Sequence, residues 1–143
     1  MSFTDWCLNK TNLAPEAGHT VDVLLRMAST QDGEPPDKKL STLTSLDLSH
    51  NQIADITPLS SLKKLKRLNL SNNQITDITP LSNLTKLTYL ILSHNQIANL
   101  KPLSSLNKLT ELHLAHNQIA DITPFSVLAN LTCPVKPESI CRF

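Results

Sequence analysis

The sequence predicts an α/β solenoid, a coil of short structural repeats whose inner, concave face is a parallel β-sheet. Three observations predict this fold: a 22-residue period in the middle of the chain, short stretches in which leucines alternate with polar residues, and an amphipathic segment before the repeats. Of the 143 residues, 40% are hydrophobic but only 3% are aromatic. The core must therefore be built from aliphatic side chains.

The first element is a predicted helical cap that covers the exposed end of the coil. Pro15 suits a first helical turn, and the apolar residues after it recur at helical spacing. Helices are predicted over 4–9 and about 15–29, with Trp6 in the core of the cap. A loop over 30–37 then leads into the repeats, because glycine and two prolines interrupt the pattern. We expect His19 at the surface of the second helix.

The repeat itself consists of four aligned copies that begin at Leu43, Leu65, Leu87 and Leu109 and together cover residues 43–130. Nine of the 22 columns are identical in all four copies, and this regularity indicates a repeat architecture. Repeats of this kind stack on their nearest neighbours, so the array needs a cap at each end.

Each copy contains a stretch in which leucines alternate with other, mostly polar residues, the period-two pattern of a half-buried strand. One 22-residue step brings the next strand alongside the last, so the strands should pair in parallel and bury one continuous aliphatic column. The strands are predicted near 45–49, 67–71, 89–93 and 111–115.

Two invariant columns predict how the chain turns. An asparagine follows every strand, and its amide can bond the backbone of its own turn and of the neighbouring coil. A proline on the return limb of each copy lacks an amide donor, which favours 3-10 turns or extended chain on the convex side. The predicted structural ladder of asparagines consists of Asn51, Asn73, Asn95 and Asn117.

The domain organisation that follows is an N-terminal helical cap over 1–42, four repeats over 43–130 and a C-terminal cap over 131–143. The last segment holds Cys133 and Cys141, which an oxidising compartment would allow to bridge. The start of the chain lacks the basic and apolar regions of a secretory signal, so we expect a cytoplasmic protein with free thiols.

The repeated motif L-x-x-L-x-L-x-x-N-Q-I, followed by D-I-x-P-L-x-x-L, resembles the leucine-rich repeat family. Its 22-residue length resembles the subclass found in bacterial internalins. This resemblance implies a right-handed coil with a parallel concave sheet and a 3-10 or extended convex side. The near identity of the copies also suggests either recent duplication or a consensus-derived or engineered sequence.

Function is expected on the concave face, where outward positions vary along the array while the framework does not. A rigid sheet with variable outward side chains is suited to protein binding. Tyr89 and Ile91 form an apolar centre with a polar rim, the usual anatomy of a contact patch, although a β-branched residue also simply suits a strand. The predicted partner-binding residues are Arg67, Asn69, Tyr89, Ile91, Glu111, His113, His94 and His116.

Other function classes have little support in the sequence. Only two glycines are present, which excludes glycine-rich phosphate loops, and a net charge of +1 argues against a nucleic-acid binder. No apolar run approaches the ~18–20 residues of a membrane span. Imidazoles at His94, His113 and His116 suit Zn²⁺, but no other ligand completes a set. We therefore expect no enzyme activity, no cofactor and no metal site.

Two hypotheses remain. The first is a monomeric scaffold that binds a protein partner through the concave sheet. The second is a structural or engineered scaffold without a natural ligand, which the near-identical repeats favour.

Overall fold

The structure is a computed structural model that describes residues 3–9, 12–28 and 36–119. The second half of the fourth repeat and the predicted C-terminal cap over 131–143, with its two cysteines, lie outside the described residues. Within the described ranges, no helix has the length and apolar character needed to cross a membrane.

Helices come first along the chain and short strands follow, one in each repeat. The helices are α1 (Phe3–Leu8), α2 (Pro15–Ala28) and α3 (Pro36–Thr42). The strands are β1 (Ser45–Asp47), β2 (Arg67–Asn69), β3 (Tyr89–Ile91) and β4 (Glu111–His113).

The four strands form one parallel sheet in the order β1-β2-β3-β4, which confirms the solenoid that the period predicts. Each strand pairs one repeat ahead without slippage, so that Leu46 lies opposite Leu68, and Leu68 opposite Leu90. These inward leucines are almost fully buried. The concave side chains therefore stand in straight columns across the sheet.

Each strand has three residues and ends two residues earlier than predicted. A turn follows each strand, and in the first two repeats the side chain at the end of the strand bonds that turn. The Oδ1 atom of Asp47 accepts hydrogen bonds from the amide and hydroxyl of Ser49, at 2.9 and 2.7 Å. The next residue, His50, has a positive φ of 58°, which turns the chain out of the strand.

One aliphatic core runs from the cap through the coils. Trp6 and Leu24 of the cap belong to it, as do the leucines and isoleucines of every described coil, and most of these side chains are at most 1% exposed. Packing against both neighbours makes each coil depend on the next.

The convex side is built from short 3-10 helices, as the prolines predict, at Thr57–Ser61, Thr79–Asn83 and Lys101–Ser105. Asp77 precedes the second of them. The hydroxyl and then the amide of Thr79 donate hydrogen bonds to its carboxylate, at 2.6 and 2.9 Å, and hold the pKa of Asp77 below its usual 3.8.

Helices α1 and α2 lie within a residue of their predicted bounds. The predicted loop over 30–37 is wrong at its end, because α3 begins at Pro36. Adjacent prolines suggested a chain break. A proline in the first helical turn, however, has no amide bond to lose and already has a helical φ.

Candidate functional site

A ladder of asparagine side chains holds the turns behind the sheet. The Oδ1 atom of Asn73 accepts hydrogen bonds from the amides of Asn51 and Ile53 in the preceding coil, at 3.0 and 2.9 Å. Its Nδ2 group donates to the carbonyls of Leu48 and Leu70, each at 3.0 Å. One side chain thus joins two coils. Closely similar bonds recur at Asn95 and Asn117.

Among the residues described before the first coil, helix α2 contacts this coil through two side-chain donors. The Nε2–H group of His19 donates to the carbonyl of Asn51 at 2.7 Å. The hydroxyl of Thr20, which is fully buried, donates to the carbonyl of Asp55 at 2.5 Å. The expectation that His19 is a surface residue is therefore wrong: it is half-buried and ties the cap to the array.

The concave face carries a continuous chain of side-chain contacts across three strands. The guanidinium of Arg67 lies over the ring of Tyr89, with its central carbon 4.2 Å from the ring centroid. The ring of Tyr89 packs at a tilt of 52° against His113, with centroids 5.9 Å apart. The Nε2 atom of His113 is 2.8 Å from the carboxylate of Glu111. We call these four residues the concave cluster.

A shallow depression of about 190 Å³ lies beside the concave cluster. Ile91 forms part of its wall and is half-exposed. Asn69 also lines it, but its Oδ1 atom already accepts hydrogen bonds from the amide and hydroxyl of Ser71, at 3.0 and 2.7 Å. The full lining is Ser45, Leu46, Asp47, Arg67, Leu68, Asn69, Tyr89 and Ile91.

Besides the core leucines Leu46 and Leu68, two lining residues were not among the predicted binding residues, namely Ser45 and Asp47. Only the strand register could have indicated them, because Ser45 lies opposite Arg67 and Asp47 lies opposite Asn69 in the neighbouring strand. Both are polar and smaller than Tyr89, so neither stands out in the sequence as a binding residue.

The histidines predicted to join the concave face separate into two groups. His113 belongs to the concave cluster, whereas His94 and His116 stack on each other just beyond the strands, with ring centroids 4.2 Å apart and planes 15° apart. Both stacked rings belong to residues with positive φ. Among the described residues, no group of three or more His, Cys, Asp or Glu side chains is arranged to hold a metal ion.

Comparison with known proteins identifies the repeats. A family model described as leucine-rich repeats (two copies) matches residues 41–83 and 85–131. No curated protein sequence matches the chain.

Solved structures of bacterial proteins share the fold. Internalin C2 of Listeria monocytogenes is 48% identical, with a TM-score of 0.64 over 67% of this chain and 42% of that one. A second internalin of that organism, InlF, is 36% identical, with a TM-score of 0.56 over 68% of this chain and 35% of that one. A leucine-rich repeat protein of Leptospira interrogans is 34% identical, with a TM-score of 0.61 over 69% of this chain and 26% of that one.

The chain spans less than half the length of each of these structures. The family model nevertheless covers more than half of the chain, and the sheet, the 3-10 helices and the repeat length all agree with it. The chain therefore belongs to the leucine-rich repeat family, in its internalin-like bacterial form, whose members are in general protein-interaction scaffolds rather than enzymes.

Proposed function

We propose that this chain binds another protein through the concave face of its sheet, with the concave cluster and Ile91 at the centre of the contact. The observation that carries this proposal is the chain of contacts from Arg67 through Tyr89 and His113 to Glu111. These contacts lie on an open sheet face, where core packing does not require them. Side chains that are ordered before binding lose less conformational entropy when a partner arrives.

The composition of the surface supports the same proposal. Tyrosine and arginine are enriched among the residues that dominate binding energy in protein interfaces. Ile91 adds apolar area beside them, and the polar rim is typical of a contact patch. A shallow depression of about 190 Å³ can accept one or two side chains of a partner. It does not enclose a small molecule as a typical active-site pocket does. A monomeric state and a cytoplasmic location stay predictions.

The array itself supplies matched variants for a test. Tyr89→Ser and Ile91→Asn install the residues that Ser45 and Asn69 already represent in the same columns. The control variant carries Thr76→Ala and Asn83→Ser, at two exposed positions outside the strands. These substitutions likewise install residues that other repeats hold at the same positions. Both double variants should fold, and the loss of the exposed Arg–Tyr contact should cost only about 0.5–1 kcal/mol.

In a pull-down from bacterial and host-cell lysates, the wild-type chain and the control variant should retain the same partner, and the Tyr89→Ser/Ile91→Asn variant should lose it. Retention by all three proteins would place the binding surface elsewhere. Nothing captured above background by any of them would favour the alternative of a scaffold without a natural ligand.

A further inference from the structure

The charged groups of the concave face differ in whether the protein itself satisfies them. The carboxylate of Asp47 accepts two hydrogen bonds from Ser49, and that of Glu111 lies 2.8 Å from the Nε2 atom of His113. Arg67 has only the neutral face of Tyr89 beneath it. Within the described residues, no carboxylate comes within ion-pair distance of its guanidinium.

A cation–π contact with Tyr89 does not use up the N–H donors of Arg67. These donors lie in the plane of the guanidinium, in a fork that matches a carboxylate. The contact with Tyr89 also restricts the rotation of a long side chain, which lowers the entropy cost of a new contact.

Space for a ligand lies beside this guanidinium. The residue opposite Arg67 on β1 is Ser45, which is small and exposed. Ser45 and Arg67 line the depression of about 190 Å³ together with Ile91 and Tyr89, which give it apolar walls. The geometry thus places a cation without an ion-pair partner beside a recess that Tyr89 and Ile91 make apolar on one side.

We infer that the protein partner presents the carboxylate of an aspartate or glutamate to Arg67, next to an apolar side chain that enters the depression against Tyr89 and Ile91. This inference rests on the proposed function and names the chemistry of the partner: an exposed segment in which an acidic residue neighbours an apolar one. The argument is charge complementarity to Arg67, a cation of this face with no carboxylate within ion-pair distance among the described residues.

Asp47 sharpens the inference because it lines the same depression and carries the opposite charge. Its carboxylate should repel an incoming carboxylate and so lower the affinity. Asp47→Asn removes this charge but keeps an Oδ1 acceptor for Ser49, as Asn69 does for Ser71 in the next repeat. The sign of its effect therefore reports the charge of the ligand.

The test begins with a random linear peptide library displayed on phage, selected on the full chain after depletion on the Tyr89→Ser/Ile91→Asn variant. The selected peptides should share an acidic residue within about three positions of an aromatic or aliphatic one.

For a synthetic peptide of that sequence, Arg67→Gln should weaken binding about tenfold, and so should changing the peptide's acid to its amide. The two losses should not add, because they remove the same contact. Arg67→Lys should restore binding only in part, since an ammonium lacks the fork.

The variants also separate this inference from the proposed function. Asp47→Asn should raise the affinity, and a lowered affinity would overturn the inference. Peptides that need Tyr89 and Ile91 but lack an acid, or that ignore Arg67→Gln, would also overturn it and leave the proposed function intact. Peptides indifferent to every concave variant would overturn both. A library that yields no binder would count against an acidic linear segment. Far-UV circular dichroism and thermal melts of each variant exclude misfolding as the cause of a loss.

Discussion

The junctions between coils and the junction between the cap and the first coil both depend on side chains that bond backbone groups, but the side chains and the backbone groups differ. Between coils, Asn73 bonds amides and a carbonyl of the coil before it. At the cap, the donors come from His19 and Thr20 of α2 instead. A repeat thus completes its junction with residues of its own period, whereas the end of the array depends on residues that occur once.

The backbone of the first coil also differs from that of the inner coils, at the glutamine that follows each ladder asparagine. The amide of Gln74 donates to the carbonyl of Ile53 in the preceding coil at 2.8 Å. No such bond from the amide of Gln52 occurs within the described residues, and the φ of Gln52 is +57°, whereas Gln74 and Gln96 have no positive φ. The carbonyl just before Gln52, that of Asn51, is the one that accepts the bond from His19. The cap contact and the unusual backbone therefore occur at the same peptide.

The largest effect that tests this comparison is expected at the coil junction. Asn73→Ala removes an acceptor and a donor that serve two coils, and it leaves several buried backbone groups without partners. We expect a loss of about 3 kcal/mol in the free energy of unfolding, measured by urea denaturation followed by circular dichroism. Asn51→Ala is the matched control, because the Nδ2 group of Asn51 bonds Ser49 in its own turn. Its cost should be about 1 kcal/mol or less. Equal costs would mean that the bonds between coils add nothing.

The second effect is expected at the cap. His19→Ala with Thr20→Val removes both donors from α2, while valine keeps the volume of the buried threonine. The carbonyls of Asn51 and Asp55 then lose these bonds, at a combined cost of about 2 kcal/mol. Glu16→Ala, at an exposed position on the same helix, is the control and should change stability by less than about 0.5 kcal/mol.

Amide hydrogen exchange would show where the damage lies. In the His19→Ala/Thr20→Val variant, the amides of the first coil should lose protection while those of the third coil keep most of theirs, because coils contact only their neighbours. A uniform loss of protection along the array would contradict a local role for the cap contacts.

The contrast between the two junctions also explains what the sequence can predict. Features that recur in every period were predictable: the leucines that face inward, the parallel register and the prolines of the 3-10 helices. Features that occur once were not. Nothing in the pattern around His19 indicates a partner 32 residues away, and the helix at Pro36 was hidden by prolines that suggest a break.

The concave face follows the same division. Its columns could be predicted from the period alone, which brought Arg67 and Tyr89 side by side. The contacts within a column depend on side-chain torsions that the sequence does not specify. The period also places His94 and His116 in one column and His113 in another, but the contact of Arg67 with the Tyr89 ring and the stacking of the two histidine rings emerge only from the structure.

The smallest of the three effects is expected at Gln52, where a substitution by glycine should stabilise the protein, whereas the same substitution at Gln74 should destabilise it. An L-residue in the left-handed region costs roughly 1–2 kcal/mol, whereas glycine adopts it readily. Gln52→Gly should therefore raise the free energy of unfolding by up to about 1 kcal/mol, after the greater flexibility of glycine in the unfolded chain is subtracted. Gln74→Gly relieves no positive φ and should lower it by about 0.5–1 kcal/mol. Two urea titrations suffice to compare them. If both substitutions destabilised the protein equally, the backbone at Gln52 would not differ from that of the inner coils, and the contrast between cap and coil would reduce to side-chain bonds alone.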